Sequence, residues 1–146
     1  MRTMNVKRVG PGIAGLAIAL VLAGCSTMPT YEPQAADVSV QLVGMGQPGI
    51  CVGGNNYRLD VAENEGIRTV RVPTGNRVML WSTMAFQGYN VISRCEPALA
   101  FVPSAGNTYV ANAGLADGKC FIELVREDKQ RETGVAPEPT LQRPKC

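Results

Sequence analysis

Histidine does not occur among the 146 residues of this chain, and aromatic side chains make up only 5% of it. Histidine is the commonest metal ligand and a frequent general base, and enzymes with a Ser-His-Asp or Cys-His arrangement depend on it. A Ser-x-x-Lys motif, which could activate a serine without histidine, is missing as well. The sequence therefore excludes these classes of hydrolase, and we expect no catalytic residue and no enzymatic activity.

No apolar run is long enough to span a membrane. The run near the start covers residues 13–23, and eleven helical residues extend over about 16 Å, against a hydrocarbon core of about 30 Å. Pro11, between two glycines, prevents the helix from extending toward the amino terminus. The run therefore indicates a short signal sequence or a buried helix.

The first 25 residues have the order of a secretory signal: basic residues, the apolar run, then small residues. The run ends in L-A-G-C, which resembles the lipobox of bacterial lipoprotein precursors. The resemblance implies a signal peptide over residues 1–24, cleaved between Gly24 and Cys25. It also implies a diacylglyceryl group on the Cys25 sulfur and, in Gram-negative cells, an N-acyl chain on the new amino terminus. The alternative is a buried helix followed by an ordinary cysteine.

The lipid on Cys25 would anchor the protein to a membrane. In the lipoprotein family, an aspartate after the lipidated cysteine commonly retains the protein in the inner membrane. This chain has Ser26 instead, so the resemblance implies the outer membrane, with the domain facing the periplasm; the inner membrane and the cell surface are alternatives. Two or three acyl chains suffice as an anchor, because each buried methylene contributes about 0.8 kcal/mol. We expect no other cofactor.

Removal of the signal also changes the charge balance. Arg2, Lys7 and Arg8 would leave with the signal, so 11 of the 14 basic side chains remain beside 12 carboxylates, a net charge of −1. Proteins that bind nucleic acids carry a basic surface, which this balance does not indicate. We therefore expect no nucleic acid among the partners.

The composition divides the chain into four parts. After residues 1–24, residues 25–36 contain the candidate lipidated cysteine and two prolines without an apolar period, which predicts a flexible tether. Residues 37–127 are expected to form one domain. Residues 128–146 are a proline-rich tail that we expect to be unstructured apart from a disulfide.

The domain has an apolar period of two, or short apolar runs bounded by Gly, Pro and Asn, which is typical of strands. Eight or nine short strands at this spacing predict an all-β fold, specifically a small antiparallel β-sandwich. The predicted strands cover residues 38–43, 50–52, 57–61, 67–72, 77–84, 89–92, 98–102, 108–113 and 120–125.

Two segments carry a second resemblance. VRVPTGNRVML at residues 70–80 and FVPSAGNTYV at residues 101–110 resemble segments of small β-sandwich modules of the PEGA type and of related uncharacterised lipoproteins. The resemblance implies an Ig-like or PEGA-like sandwich. It supplies no catalytic residues.

Four cysteines remain besides Cys25, namely Cys51, Cys95, Cys120 and Cys146. In an oxidising compartment they predict two disulfides, for which three connectivities exist. Since residues 98–125 are predicted to form three consecutive antiparallel strands, Cys95 and Cys120 would lie at the same end of a sheet. This favours Cys95 with Cys120 and Cys51 with Cys146. No metal site is indicated, because histidine and closely spaced cysteine pairs are missing.

The aromatic side chains supply the candidate contact residues, because binding surfaces favour Tyr, Trp and Arg. Trp81 lies in an apolar run and is expected in the core. Phe86 and Tyr89 fall in a predicted hairpin connection at residues 84–90, which Arg94 follows. These three residues could contact a partner, although one or both rings could instead pack over the sandwich edge.

Three classes of function remain. The first is a non-catalytic envelope lipoprotein that presents a surface to an envelope protein. The second is a periplasmic inhibitor or ligand-binding lipoprotein, since Gln87-Gly88-Tyr89 resembles the loop with which some periplasmic lipoproteins block lysozyme. The third is a cell-wall enzyme, which would need Asp60, Glu63 and Glu65 to form a pocket, whereas such a cluster is typical of a solvated loop.

Overall fold

The computed structural model describes residues 27–146, which form eleven strands and no helix. The predicted all-β class is confirmed, and the strands form two sheets around one core, as in a small β-sandwich. The strands are β1 (Val38–Val43), β2 (Gln47–Val52), β3 (Asn55–Arg58), β4 (Ala62–Asn64), β5 (Ile67–Val72), β6 (Val78–Gly88), β7 (Val91–Cys95), β8 (Ala98–Phe101), β9 (Tyr109–Ala116), β10 (Lys119–Glu127) and β11 (Val135–Pro137).

The predicted signal peptide, its cleavage site at Gly24 and the lipidation site at Cys25 lie outside the described residues. Within residues 27–146, no helix is long and apolar enough to cross a membrane.

The first sheet has the strand order β11-β10-β9-β1-β5-β4. Its neighbours are antiparallel except β1 and β9, which run parallel, with Val40 opposite Tyr109. In β1, burial alternates along the sequence VSVQLV, because successive side chains of a strand point to opposite faces. Val38, Val40 and Leu42 of β1 therefore face the second sheet.

The second sheet has the order β3-β2-β6-β7, and β8 also pairs with β6. β7 and β8 pair with successive parts of β6 in one continuous register, with Met84 opposite Cys95 and Trp81 opposite Ala98. The first half of β6 thus lies between β2 and β8, whereas its second half forms a hairpin with β7.

The core lies between the two sheets and contains apolar side chains from both. Val40 of the first sheet and Leu80 of the second are each 0% exposed, and burial of such a side chain contributes about 1.5–3 kcal/mol. Phe101 packs edge-on against Tyr109, with ring centroids 5.2 Å apart. The Tyr109 hydroxyl accepts a hydrogen bond from the backbone N–H of Ser104 (2.9 Å), so the buried phenol is satisfied.

Trp81 does not lie in the core, contrary to the expectation. Its neighbours Leu80 and Ser82 are each 0% exposed, so the alternation of β6 turns Trp81 to the outer face of the second sheet. The indole covers Gly49 on β2, where a Cβ atom would come within 2.0 Å of the ring. Because the run Val-Met-Leu-Trp is apolar on both faces, the sequence does not show which of its residues face the core.

The predicted meander over residues 98–125 is also wrong, because β8 belongs to the second sheet and β9 and β10 to the first. Cys95 ends β7 and Cys120 lies in β10, so their disulfide joins the two sheets. The second disulfide is Cys51–Cys146. The favoured pairing is thus present, but the first bond crosses the sandwich and does not brace one sheet.

The segment expected to be a tether pairs with the domain from residue 29 onward. The backbone N–H of Tyr31 donates to the carbonyl of Arg58 (2.8 Å), and the N–H of Arg58 donates to the carbonyl of Pro29 (2.9 Å). These residues extend the second sheet beyond β3. The tether boundary predicted at residue 36 is therefore wrong.

A partly buried phenol holds this docked segment. The Tyr31 hydroxyl donates to the carboxylate of Asp37 (2.9 Å), which also accepts from the backbone N–H of Gln34 (3.0 Å). Burial, with this hydrogen bond and the negative charge of Asp37, raises the pKa of Tyr31 to about 12. Tyr31 is therefore neutral over the physiological range.

The C-terminal tail is more ordered than expected. Within it, β11 pairs with β10, and Glu138 is only 5% exposed. Gln142 exchanges two backbone hydrogen bonds with Ala100 of β8 (2.8 and 3.3 Å). The tail therefore connects the edges of both sheets before Cys146 reaches Cys51.

Candidate functional site

A β-hairpin projects from the second sheet beyond the end of β2. It comprises residues 85–94, which we call the arm, and β6 and β7 form its strands. Tyr89 and Asn90 form its two-residue turn, where Asn90 has a φ of 61°, a left-handed conformation that asparagine adopts more readily than most residues. The pairing of β2 with β6 ends at Thr83, so the arm extends past the end of β2.

The edges of the sandwich are short or covered, except along the arm. In the first sheet, the edge strands β4 and β11 have three residues each, and β11 ends in Pro137. In the second sheet, residues 29–31 pair with β3, and Gln142 pairs with β8. Among the described residues, no strand pairs with the outer edge of β7. An uncovered strand edge is a template for a strand of another chain.

The three predicted contact residues all lie in the arm. Tyr89 is 96% exposed at the tip, and Arg94 is exposed on β7. Phe86 is partly buried and packs against the core cluster. Phe86 therefore fixes the base of the arm, and Tyr89 and Arg94 are available for contact. The connection predicted at residues 84–90 is shorter than expected, because residues 84–88 belong to β6.

Three exposed apolar residues at this end of the molecule were not expected from the sequence. Val91 and Ile92 of the arm are 61% and 68% exposed, and Leu115 of β9 is 48% exposed. A strand that packs on a core shows one apolar face, whereas adjacent valine and isoleucine before Ser93-Arg94 put apolar groups on both faces. That departure from alternation was the signal in the sequence.

A groove of about 500 Å³ separates the arm from the turn between β9 and β10. Phe86 and Val91 line its arm side, and Leu115 lines the other side. The Cys95–Cys120 disulfide closes its base, with a Cα–Cα distance of 6.4 Å. This bond fixes the spacing of the two walls, so the groove is preformed.

The acidic residues Asp60, Glu63 and Glu65 do not form a cleft. All three side chains are exposed, on β4 and the loops beside it. Two-carboxylate hydrolysis needs both groups across one bound substrate, and none of the three lines a described cavity. Within residues 27–146, no group of three His, Cys, Asp or Glu side chains could hold a metal ion.

A second, open groove of about 660 Å³ lies between β10 and the C-terminal tail. Leu99, Ile122 and Leu141 contribute to its largely apolar lining. It contains none of the predicted contact residues, and the strands on either side already have hydrogen-bonded neighbours. We therefore take the arm as the candidate site.

Comparisons with protein-family models, with curated proteins and with solved structures find no match to this chain. The candidate site rests on the arm's own geometry: a strand edge that no described strand covers, an exposed tyrosine at the tip and a preformed groove beside it.

Proposed function

We propose that this protein is a lipid-anchored, non-catalytic module of the bacterial envelope that binds an envelope protein through the arm. The anchor is the lipid on Cys25, and the domain faces the periplasm from the outer membrane. The L-A-G-C segment supports the anchor, and two disulfides suit an oxidising compartment.

The observation that carries the binding proposal is the contrast among the sheet edges. The arm combines the uncovered edge of β7 with apolar side chains that have little packing role, Val91 and Ile92. Natural proteins guard such edges with charges, proline or a covering segment. An unguarded edge is useful where a partner adds a strand, since main-chain hydrogen bonds supply affinity and side chains supply specificity.

The anchor is tested by Cys25→Ser. We expect an uncleaved, unlipidated precursor, because the sulfur accepts the lipid. A variant that is processed and membrane-bound at the mass of the native protein would contradict the lipoprotein proposal.

The arm is tested by Ile92→Lys, which places a charge on the uncovered edge, with Ile67→Lys as the matched control. Ile67 is 50% exposed on β5, in the other sheet. After crosslinking in native membranes, we expect Ile92→Lys to lose the partner adduct and Ile67→Lys to retain it. Equal loss or equal retention would contradict the proposed role of the arm.

The exposure of Tyr89 favours one second candidate, an inhibitor that inserts the tip Gln87-Gly88-Tyr89 into the cleft of another protein. Tip insertion depends on the Tyr89 ring, whereas strand addition depends on the edge of β7. Tyr89→Ala should therefore abolish binding by an inhibitor and weaken strand addition only modestly. Comparison with Ile92→Lys separates the two mechanisms.

A further inference from the structure

The outer face of the second sheet brings both ends of the described chain together. Residues 29–31 pair with β3 along its edge, and Met28 lines a shallow cavity of about 340 Å³ with Met79 and Trp81. From the other edge, residues 143–146 run from the bridge at β8 to the disulfide at Cys51. The face thus presents Met28, Trp81 and the last residues of the chain.

The distance from this face to the anchor is short. Met28 lies three positions after Cys25, and three residue steps of extended chain span about 10 Å. Because residues 29–31 are fixed on β3, the tether has no further length to release. A lipid on Cys25 therefore enters the bilayer within about 10 Å of this face.

The charge of the face suits an anionic surface. Arg58 is exposed beside the docked segment, Arg77 donates to the carbonyl of Lys145 (2.7 Å), and Arg143 and Lys145 are exposed. Glu96, a carboxylate of this region, lines the cavity beside Trp81 and accepts a hydrogen bond from Thr83 (2.9 Å).

The outer face of the first sheet differs in its charge. There Glu123 and Glu127 are balanced by Arg71 and Lys119, which lie on the same face by register. Basic side chains near a membrane attract anionic headgroups, and tryptophan favours the interfacial layer. The second sheet is thus the better match to a lipid surface.

We propose that the outer face of the second sheet lies against an anionic membrane surface, with Trp81 near the headgroups. This inference rests on the proposed lipid anchor. The membrane then orients the domain, and the arm extends along the membrane from the same sheet. The partner would meet the arm at a fixed height above the lipid.

Trp81 is the only tryptophan of the chain, so its fluorescence reports directly on this face. The experiment uses the full chain, processed and lipidated in cells, in vesicles of phosphatidylethanolamine and phosphatidylglycerol. One set of vesicles carries headgroup spin-labelled lipid as a quencher. We expect the labelled lipid to remove at least half of the Trp81 emission and the vesicles to reduce quenching by aqueous acrylamide several-fold.

The charge contribution is tested by comparing two double variants. The first is Arg58→Glu/Lys145→Glu, and the second is Lys119→Glu/Lys129→Glu. Both double variants change the net charge equally, but Lys119 and Lys129 lie elsewhere on the surface. We expect the first pair to lose at least half of the lipid quenching and the second pair to retain it. Equal quenching in both pairs would contradict the charge complementarity of this face.

Flotation with the vesicles separates the two possible failures. A protein that floats with its lipid but shows no quenching of Trp81 by labelled lipid overturns the orientation and leaves the anchor intact. If the protein lacks the mass of the lipid and does not float, the anchor is overturned, and the orientation with it.

Discussion

The two halves of β6 belong to one strand but have different surroundings. Residues 78–84 alternate between the core and the outer face. β2 pairs with residues 78–83 on one side, and β8 pairs with residues 78–81 on the other. Residues 85–88 pair with β7 and have no second neighbour among the described strands. In the first half, an apolar side chain is explained by packing. Beside the second half, Phe86 still packs on the core, but the exposed Val91 and Ile92 of β7 need another explanation, and a partner supplies it.

The two ends of the described chain sharpen this difference. Both resemble linkers in the sequence, yet each covers an edge of the second sheet: residues 29–31 cover β3, and Gln142 covers β8. Edges that are vulnerable to pairing with other chains are thus protected by the chain itself. The arm is the place where this protection is missing in the described part of the chain, which is why we assign it the contact.

The largest expected contrast comes from shortening one aliphatic side chain in the core half of β6 and one in the arm. Leu80→Ala leaves a cavity at a fully buried position and should lower the free energy of unfolding by about 3–4 kcal/mol. Ile92→Ala, at a position 68% exposed, should change it by less than about 0.5 kcal/mol. Urea denaturation measures both, and similar losses would contradict the division of the strand.

Removal of the bond that ties the arm to the first sheet should have the next largest effect. The Cys95–Cys120 disulfide spans 25 residues, and loss of such a cross-link costs about 3 kcal/mol in the chain-entropy model. The double variant Cys95→Ser/Cys120→Ser avoids a free thiol. We expect a lower melting temperature and faster hydrogen exchange in β7 than in β1. Unchanged exchange in β7 would show that the bond does not hold the arm.

A smaller effect is expected where the chain covers an edge. Tyr31→Phe removes the hydrogen bond to Asp37 and should cost about 1 kcal/mol. Native Tyr31 has a pKa of about 12, above the value of about 10 of an unfolded tyrosine. Its contribution is therefore complete below pH 10 and is lost as the pH rises from about 10 to 12. Phenolate absorbance should show a titration near pH 12 that Tyr31→Phe lacks; persistence of that titration in the variant would contradict the assignment.

The parts of the fold that could be predicted are those in which local pattern and tertiary structure agree. Apolar and polar residues alternate in residues 38–42 of β1 and 69–72 of β5, and both predicted strand ranges match the structure. The turn glycines separate most other strands correctly. The cysteine pairing was favoured for a partly wrong reason, since β8 lies in the other sheet.

The rest required information that is not local. Trp81 lies in a run that is apolar on both faces, so only the register with Gly49 decides its side. The sequence of the strand Val135–Pro137 is too short to be distinguished from a linker, and the segment is a strand because it pairs with β10. In the arm, Tyr89 and Arg94 could be proposed from residue type, but the exposure of Val91 and Ile92 depends on where β2 ends.

The most direct test of the arm as a contact surface is site-specific photocrosslinking in living cells. A photoreactive amino acid replaces Ile92 on the arm in one strain and Ile67 on β5 in another, both of which are exposed isoleucines. We expect a discrete covalent adduct with one envelope protein from position 92 and none from position 67. No adduct at position 92, or the same adduct from both positions, would contradict the account.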